Sequence, residues 1–416
     1  MRRVRLLFGI SIFWLGLSML SDGITTLVLP SQLLTMTDEE SRATFLGLLT
    51  FVGLLLAMLV QPIAGNLSDQ LRPRWGRRGS LALGVVLVLI SLAAFGGAPG
   101  LLGLCLGFVF VQVAGSVAQA AQQGFIPDLV PPKLRGTASG FKGLMDIGGA
   151  LVGFALLGQL LEGRQLTPAL LALAATIVLT FLLTVALVRE PTSAAAPRAE
   201  RVTVVDAFRL DLRQHRAFAW LVTCRFLFLL GAYSVSRFWL FFIVDRLSLD
   251  PEHASDEAGM LLAGLALVTV IGSIPAGWAA DRFGRVPLML CGVVLSIAGV
   301  TLLIVAQSAL QIFLFGGLMA IGTAAFAGAN WALTADLVPV AEAARFFGLA
   351  NFGTAGAAAA AGLVGPLIDW ANTAQPGLGY TALFLFAAAS FAVSGWAASG
   401  TRVSASLEHP RAVLAK

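Results

Sequence analysis

Twelve apolar stretches, each close to the length that a helix needs to cross a bilayer, set the first constraint on this chain. They run at about Leu6–Leu34, Ala43–Leu67, Ser80–Gly97, Gly100–Phe125, Thr137–Leu161, Pro168–Val188, Ala217–Val244, Glu257–Ala280, Val286–Ala306, Leu310–Ala335, Phe346–Trp370 and Tyr380–Ser399. A helix covers the hydrocarbon core in roughly twenty residues, so each stretch is read as a transmembrane helix. Composition agrees: with 58% hydrophobic and 12% charged residues, a water-soluble chain of 416 residues would expose more apolar surface than water tolerates. The chain opens on Met1-Arg2-Arg3-Val4-Arg5 as a signal peptide does. The length of the first stretch, the lack of a small-residue cleavage pattern and the spans that follow argue instead for a retained first helix.

The spans fall into two sets of six. Residues 1–189 form an expected N-terminal six-helix bundle, 190–215 a charged, Pro- and Ala-rich cytoplasmic linker, 216–400 a C-terminal six-helix bundle and 401–416 a cytoplasmic tail. Of the 27 Lys and Arg residues, 21 lie in the segments that share a side with the N terminus, and only Arg42, Arg164 and Arg246 lie in the opposite loops. The positive-inside rule therefore puts both termini in the cytoplasm, with the plasma (cell inner) membrane as the expected location. The basic balance is topology, and nucleic-acid binding is not needed to explain it. Cys105, Cys224 and Cys291 stand singly inside apolar segments and read as small buried hydrophobes.

Two charged loops between spans share one chemistry. In Gly65–Gly79, GNLSDQLRPRWGRRG, Gly65 precedes Asp69 by four residues, and Gly76 is followed by Arg77 and Arg78. In Gly277–Arg285, GWAADRFGR, Gly277 precedes Asp281 by four, with Arg282 next and Gly284-Arg285 closing the loop. A related unit in each half indicates duplication. Gly-x-x-x-Asp-(Arg/Lys)-x-Gly-(Arg/Lys) between the second and third helix of a six-helix repeat resembles the signature loop of the major facilitator superfamily. The second copy fits closely. The first has Gln70 at the usual basic position and is lengthened by Leu71-Arg72-Pro73-Arg74-Trp75, a form similar to the branch of sugar–cation symporters and sucrose-type carriers.

The resemblance implies an all-α membrane protein of twelve helices in two pseudo-symmetric bundles, working by alternating access. It also implies that the loops latch the cytoplasmic side, so Gly65, Asp69, Gly76, Arg77, Arg78, Gly277, Asp281, Arg282, Gly284 and Arg285 are assigned to gating. Charged groups at helix ends suit that role, because a carboxylate pairs with nearby arginines and helix termini in one conformation only. Asp128-Leu129-Val130-Pro131 before Arg135-Gly136 is echoed by Asp336-Leu337-Val338-Pro339 before Arg345, so the repeat is parallel. Each echo leads into a small-residue helix, with Gly136, Gly140, Gly143, Gly149 and Gly153 in one and Gly353, Gly356, Gly362 and Gly365 in the other. Small residues let helix backbones approach closely in lipid.

Charges inside the spans are the first candidates for cargo and coupling ion, since an unpaired mid-bilayer charge costs several kcal/mol. They are Asp22, Lys142, Asp146, Arg225 and Arg237. Asp22 is the only acid of the first span, with Ser18, Ser21, Thr25 and Thr26 around it, and is the leading protonatable site. Lys142 and Asp146, four apart on one helix face, can form an ion pair. Arg225 and Arg237 lie where a long side chain can also snorkel toward a surface. Gln112, Gln119, Asn330, Trp331 and Asn351 supply the amides and the ring that a sugar site needs.

The expected function is cation-coupled, chiefly proton-coupled, uptake of a sugar or other small polar solute. The alternatives are efflux of hydrophobic or cationic organic compounds and a non-transporting membrane assembly partner of the same fold. No enzyme motif stands out: His215, His253 and His409 lie in loops or the tail, and no residue spacing matches a metal or nucleotide site. The expectation is no catalytic residue, no metal and no cofactor beyond a coupling H+ or Na+, with a small-molecule substrate and the lipid bilayer as partners and a monomer as the working unit.

Overall fold

The computed structural model describes residues 2–97, 99–131, 134–162, 165–188, 215–250, 254–338 and 343–408. The expected 190–215 linker, apart from His215, and the last eight residues of the tail lie outside the described residues. Among the described residues every regular element is helical. Twelve helices among the described residues are long and apolar enough to cross a membrane: Val4–Met36, Arg42–Leu71, Gly76–Gly97, Gly100–Leu129, Thr137–Leu160, Leu166–Leu187, Arg216–Arg237, Ala254–Phe283, Arg285–Leu303, Ala309–Leu337, Gly348–Ala374 and Leu378–Thr401. The all-α, twelve-span architecture expected from hydropathy is therefore present. Its outer faces are apolar, with Leu102, Ile274 and Trp370 each more than 70% exposed. Such faces require lipid rather than water around them.

The described residues group into two compact units. One lies within Met1–Ala199 and Trp239–Gly264, the other within Glu200–Phe238 and Leu265–Lys416. In the first unit, Trp239–Leu247 packs against the helical segments Ile24–Val28 and Leu29–Met36. Arg42 pairs there with Asp245 and lies 5.1 Å from the centre of the Phe241 ring. Gly158 and Gly259 meet nearly backbone to backbone, since a Cβ added at Gly259 would lie 2.8 Å from the Gly158 Cα.

Breaks in the helices follow from particular residues. Pro30 has no N–H to donate to the carbonyl four residues earlier, and the first span takes a π turn over Ile24–Val28, beginning two residues beyond Asp22. Arg42–Gly97 is helical except at Gly76, where φ is 67° and ψ is 177°. The five residues inserted before Gly76 thus prolong the second helix instead of forming a longer irregular loop. Gly284 holds a similar conformation, φ 91° and ψ 155°, before the ninth span. That region is open essentially to glycine alone, which explains why both signature loops carry one there. The seventh span ends at Arg237, and after Phe238 a separate helix, Trp239–Leu247, begins. The single span expected up to Val244 is therefore two helices.

The small-residue helices pack as their composition requires. A Cβ at Gly149 of the fifth span would lie 2.2 Å from the Leu15 carbonyl oxygen, and one at Gly153 would lie 3.1 Å from Met19 Cγ. Gly353 and Gly356 of the eleventh span face Val222 and Phe226 of the seventh less tightly, with an added Cβ 3.1 Å from Val222 Cγ1 and 3.6 Å from Phe226 Cε2. Gly140 and Gly143 have nothing within 4 Å of an added Cβ. Gly149→Ala is expected to cost roughly 1–3 kcal/mol through backbone displacement, lowering the melting temperature in detergent. Gly140→Ala, which only gains helix propensity, should leave it unchanged or higher.

Candidate functional site

In the first unit, the first and fifth spans bring Trp14, Ser18 and Asp22 together with Lys142 and Asp146. Ser18 Oγ donates to Asp22 Oδ2 at 2.8 Å, one helical turn away. The Lys142 ammonium sits 3.8 Å from the centre of the Trp14 ring. Asp146 interacts electrostatically with both Lys142 and Asp22, so two carboxylates and one ammonium share a half-buried cluster inside the membrane. The ion pair expected between Lys142 and Asp146 is not formed at contact distance. The neighbouring first span offers the ammonium an indole face instead. Asp146 accepts no hydrogen bond among the described residues.

The second unit builds its cluster from the seventh and eleventh spans, which correspond to the first and fifth, and adds the tenth. Arg225 Nε donates to Thr354 Oγ1 at 2.9 Å and Nη1 donates to Asn330 Oδ1 at 3.1 Å. The guanidinium lies 3.7 Å from the centre of the Trp331 ring. Arg225 is 5% exposed and reaches sideways to its neighbours rather than snorkelling along its helix. Arg237 donates through Nη2 to the Ala358 carbonyl at 3.1 Å, just before the 3-10 stretch Ala361–Val364 where regular helical bonding lapses. That contact gives Arg237 a structural partner.

The amides divide. Gln122 Nε2 donates to the Ile10 carbonyl at 2.7 Å and ties the fourth span to the first. Gln112 is buried on the fourth span beside the second, and its Nε2 has no hydrogen-bond partner among the described residues. Gln119 is half-buried on the same helix, and Asn351 is exposed on the eleventh span.

Both signature loops form the same triad. In the first unit, Arg77 pairs through Nη2 with Asp69 and donates through Nε to Asp128 Oδ2 at 2.8 Å and through Nη1 to Ser68 Oγ at 3.1 Å. In the second, Arg285 pairs through Nη1 with Asp281 Oδ1 at 3.2 Å and through Nε with Asp336. One arginine at the start of a helix thus joins the ends of the helices before and after it. The first copy is the more sheltered, with the side chains of Arg77 and Asp128 9% and 14% exposed against 28% and 51% for Arg285 and Asp336. Arg78 is half-buried and partnered, whereas Arg282 is exposed and lies 5.2 Å from the Trp278 ring. Asp128 and Asp336 complete the triads and were not among the gating residues expected from sequence. Their signal was available, since each lies 51 residues beyond its arginine.

A profile of the Major Facilitator Superfamily matches residues 8–255 and 251–411. The chain belongs to that superfamily and is a multi-pass membrane transporter. A protein described as a multi-drug resistance efflux pump PmrA homolog, from Lactococcus lactis subsp. lactis, is 25% identical over 310 residues, which cover 73% of each chain. Among solved structures, a bacterial homolog of the human lysosomal transporter Spinster, inward-facing and occupied, matches with a TM-score of 0.72 at 17% identity over 97% of both chains. The nucleoside transporter NupG gives 0.71 at 16% identity over 95% of this chain and 98% of that one. A D-xylose-proton symporter gives 0.65 at 17% identity over 94% and 96%. At such identities these structures share the fold with this chain and nothing finer.

The difference in shelter between the triads has a measurable consequence. Losing a carboxylate from a sheltered pair costs more than losing one from an exposed pair, which solvent screens. Asp128→Asn is therefore expected to lower the melting temperature clearly more than Asp336→Asn does. Equal losses would show that burial does not rank the two.

Proposed function

We propose that the protein is a proton-coupled secondary transporter that works by alternating access, with Asp22 and Asp146 as the groups that take up and release the proton. The observation that carries this reading is the Asp22, Lys142 and Asp146 cluster inside the membrane, in which one carboxylate is held by Ser18 and the other accepts no hydrogen bond among the described residues. Charged groups of this kind persist in a membrane when transport uses them. The two Asp-Arg-Asp triads serve as latches on the cytoplasmic side, and the functional halves are 1–189 and 216–400. Both termini are cytoplasmic, in the cell inner membrane, and the monomer is the working unit.

The cargo reading we favour is export of an organic solute in exchange for protons. It is supported by the relative described as an efflux pump, which aligns with 73% of this chain. Uptake of a sugar or other small polar solute is the second reading, favoured by the Gln112 and Asn330 amide donors that lack partners among the described residues and by the rings of Trp14 and Trp331.

Proteoliposomes containing a pH-sensitive dye, challenged with mono- and disaccharides and then with lipophilic cations, test both. Proton movement that depends on one class of solute identifies the cargo class and supports coupling. Asp22→Asn and Asp146→Asn should retain solute exchange but lose uphill accumulation. Full accumulation in both variants would end the assignment of the proton site.

A further inference from the structure

We infer that Arg225, together with the side-chain amide of Asn330, receives an anionic group of the cargo, so that the transported solute is an organic anion or zwitterion. This rests on the transporter reading above. Arg225 lies nine residues beyond Arg216, the first residue of its span. At helical rise that is about 14 Å, close to the middle of a hydrocarbon core of about 30 Å. A guanidinium there is costly unless something balances it.

Nothing anionic balances it among the described residues. Its partners are the Thr354 hydroxyl, the Asn330 amide oxygen and the Trp331 ring, and the further group it feels electrostatically is Tyr233, two turns along its own helix. The arginines at the membrane ends differ, since Arg42, Arg77 and Arg285 all hold carboxylates. The two repeats differ in the same sense. Asp146 stands 18 residues after Asp128, and Thr354 stands 18 residues after Asp336. The second unit thus carries a neutral hydroxyl where the first carries an acid, and sets a guanidinium against it.

The donors left over define what fits. A guanidinium has five N–H groups in a fork that matches a carboxylate, sulfonate or phosphonate in two parallel bonds. Only Nε and Nη1 are used, and Nη2 donates to nothing among the described residues. Asn330 gives its oxygen to Arg225, and its Nδ2 is buried without a hydrogen-bond partner among the described residues. Two adjacent unused donors with a net positive charge call for an acceptor-rich anion. Trp331 is 39% exposed, which leaves indole surface for a flat group attached to that anion.

The test uses the purified full chain with three probes that share one ring system: 1-naphthoate, 1-naphthamide and 1-naphthylmethylammonium. Tryptophan quenching and thermal shift are read for each. Wild type should bind naphthoate about tenfold more tightly than either other probe, the scale of one charge-assisted hydrogen-bonded contact. Arg225→Gln should erase that preference, and Arg225→Lys should retain only part of it. The wild-type ranking decides the matter even if a variant does not fold. Naphthamide binding as tightly as naphthoate, or naphthoate failing to bind, would overturn the inference. Gradient-driven flux of the same probes in proteoliposomes separates it from the transporter reading. Anion preference without flux of any probe would uphold the Arg225 site and sink transport, whereas flux of the neutral or cationic probe without anion preference would do the reverse.

Discussion

A polar group inside hydrocarbon has no water to fall back on, so its partner must come from the protein itself. This constraint orders the whole molecule. Backbone amides meet it by forming helices, which is why every regular element among the described residues is helical. Side chains meet it less uniformly. At the ends of the helices, Arg77 and Arg285 each gather two aspartates. Deeper in, Lys142 and Arg225 settle on indole rings, and Asp22 takes a hydroxyl from its own helix.

The duplication shows which of these solutions the fold itself requires. Both units keep the triad, with a glycine of positive φ just before the arginine and an aspartate at the same distance beyond it. Both also pack a small-residue helix onto the first helix of their repeat, through Gly149 and Gly153 in one unit and Gly353 and Gly356 in the other. The mid-membrane clusters, by contrast, have diverged in charge. One holds two carboxylates and an ammonium, the other a guanidinium among neutral groups. Elements that join helices are shared, while the charged groups within the spans have diverged.

The spans, the duplication and the glycines of the signature loops were legible in the residues, because each reflects a local rule. Hydropathy sums along the chain, and a positive φ needs glycine wherever it occurs. Other features were hidden. The insertion before Gly76 looked like a longer loop but continues a helix, and the seventh span looked continuous but breaks at Phe238. Lys142 and Asp146 had the spacing of an ion pair, yet the ammonium lies over Trp14, a residue more than a hundred positions away in sequence.

Sequence alone thus determined that the chain crosses the membrane twelve times, that its halves are related, and which few charges lie within the bilayer. Only the tertiary structure decided how those charges are partnered. Asp128 joins Arg77, Asp336 joins Arg285, Asp146 is left without a hydrogen bond among the described residues, and Arg225 is surrounded by neutral acceptors. The reason is physical. Crossing a bilayer depends on properties added up along one segment, whereas the partner of a buried charge depends on which side chains neighbouring helices present at the same depth, and that is settled by packing.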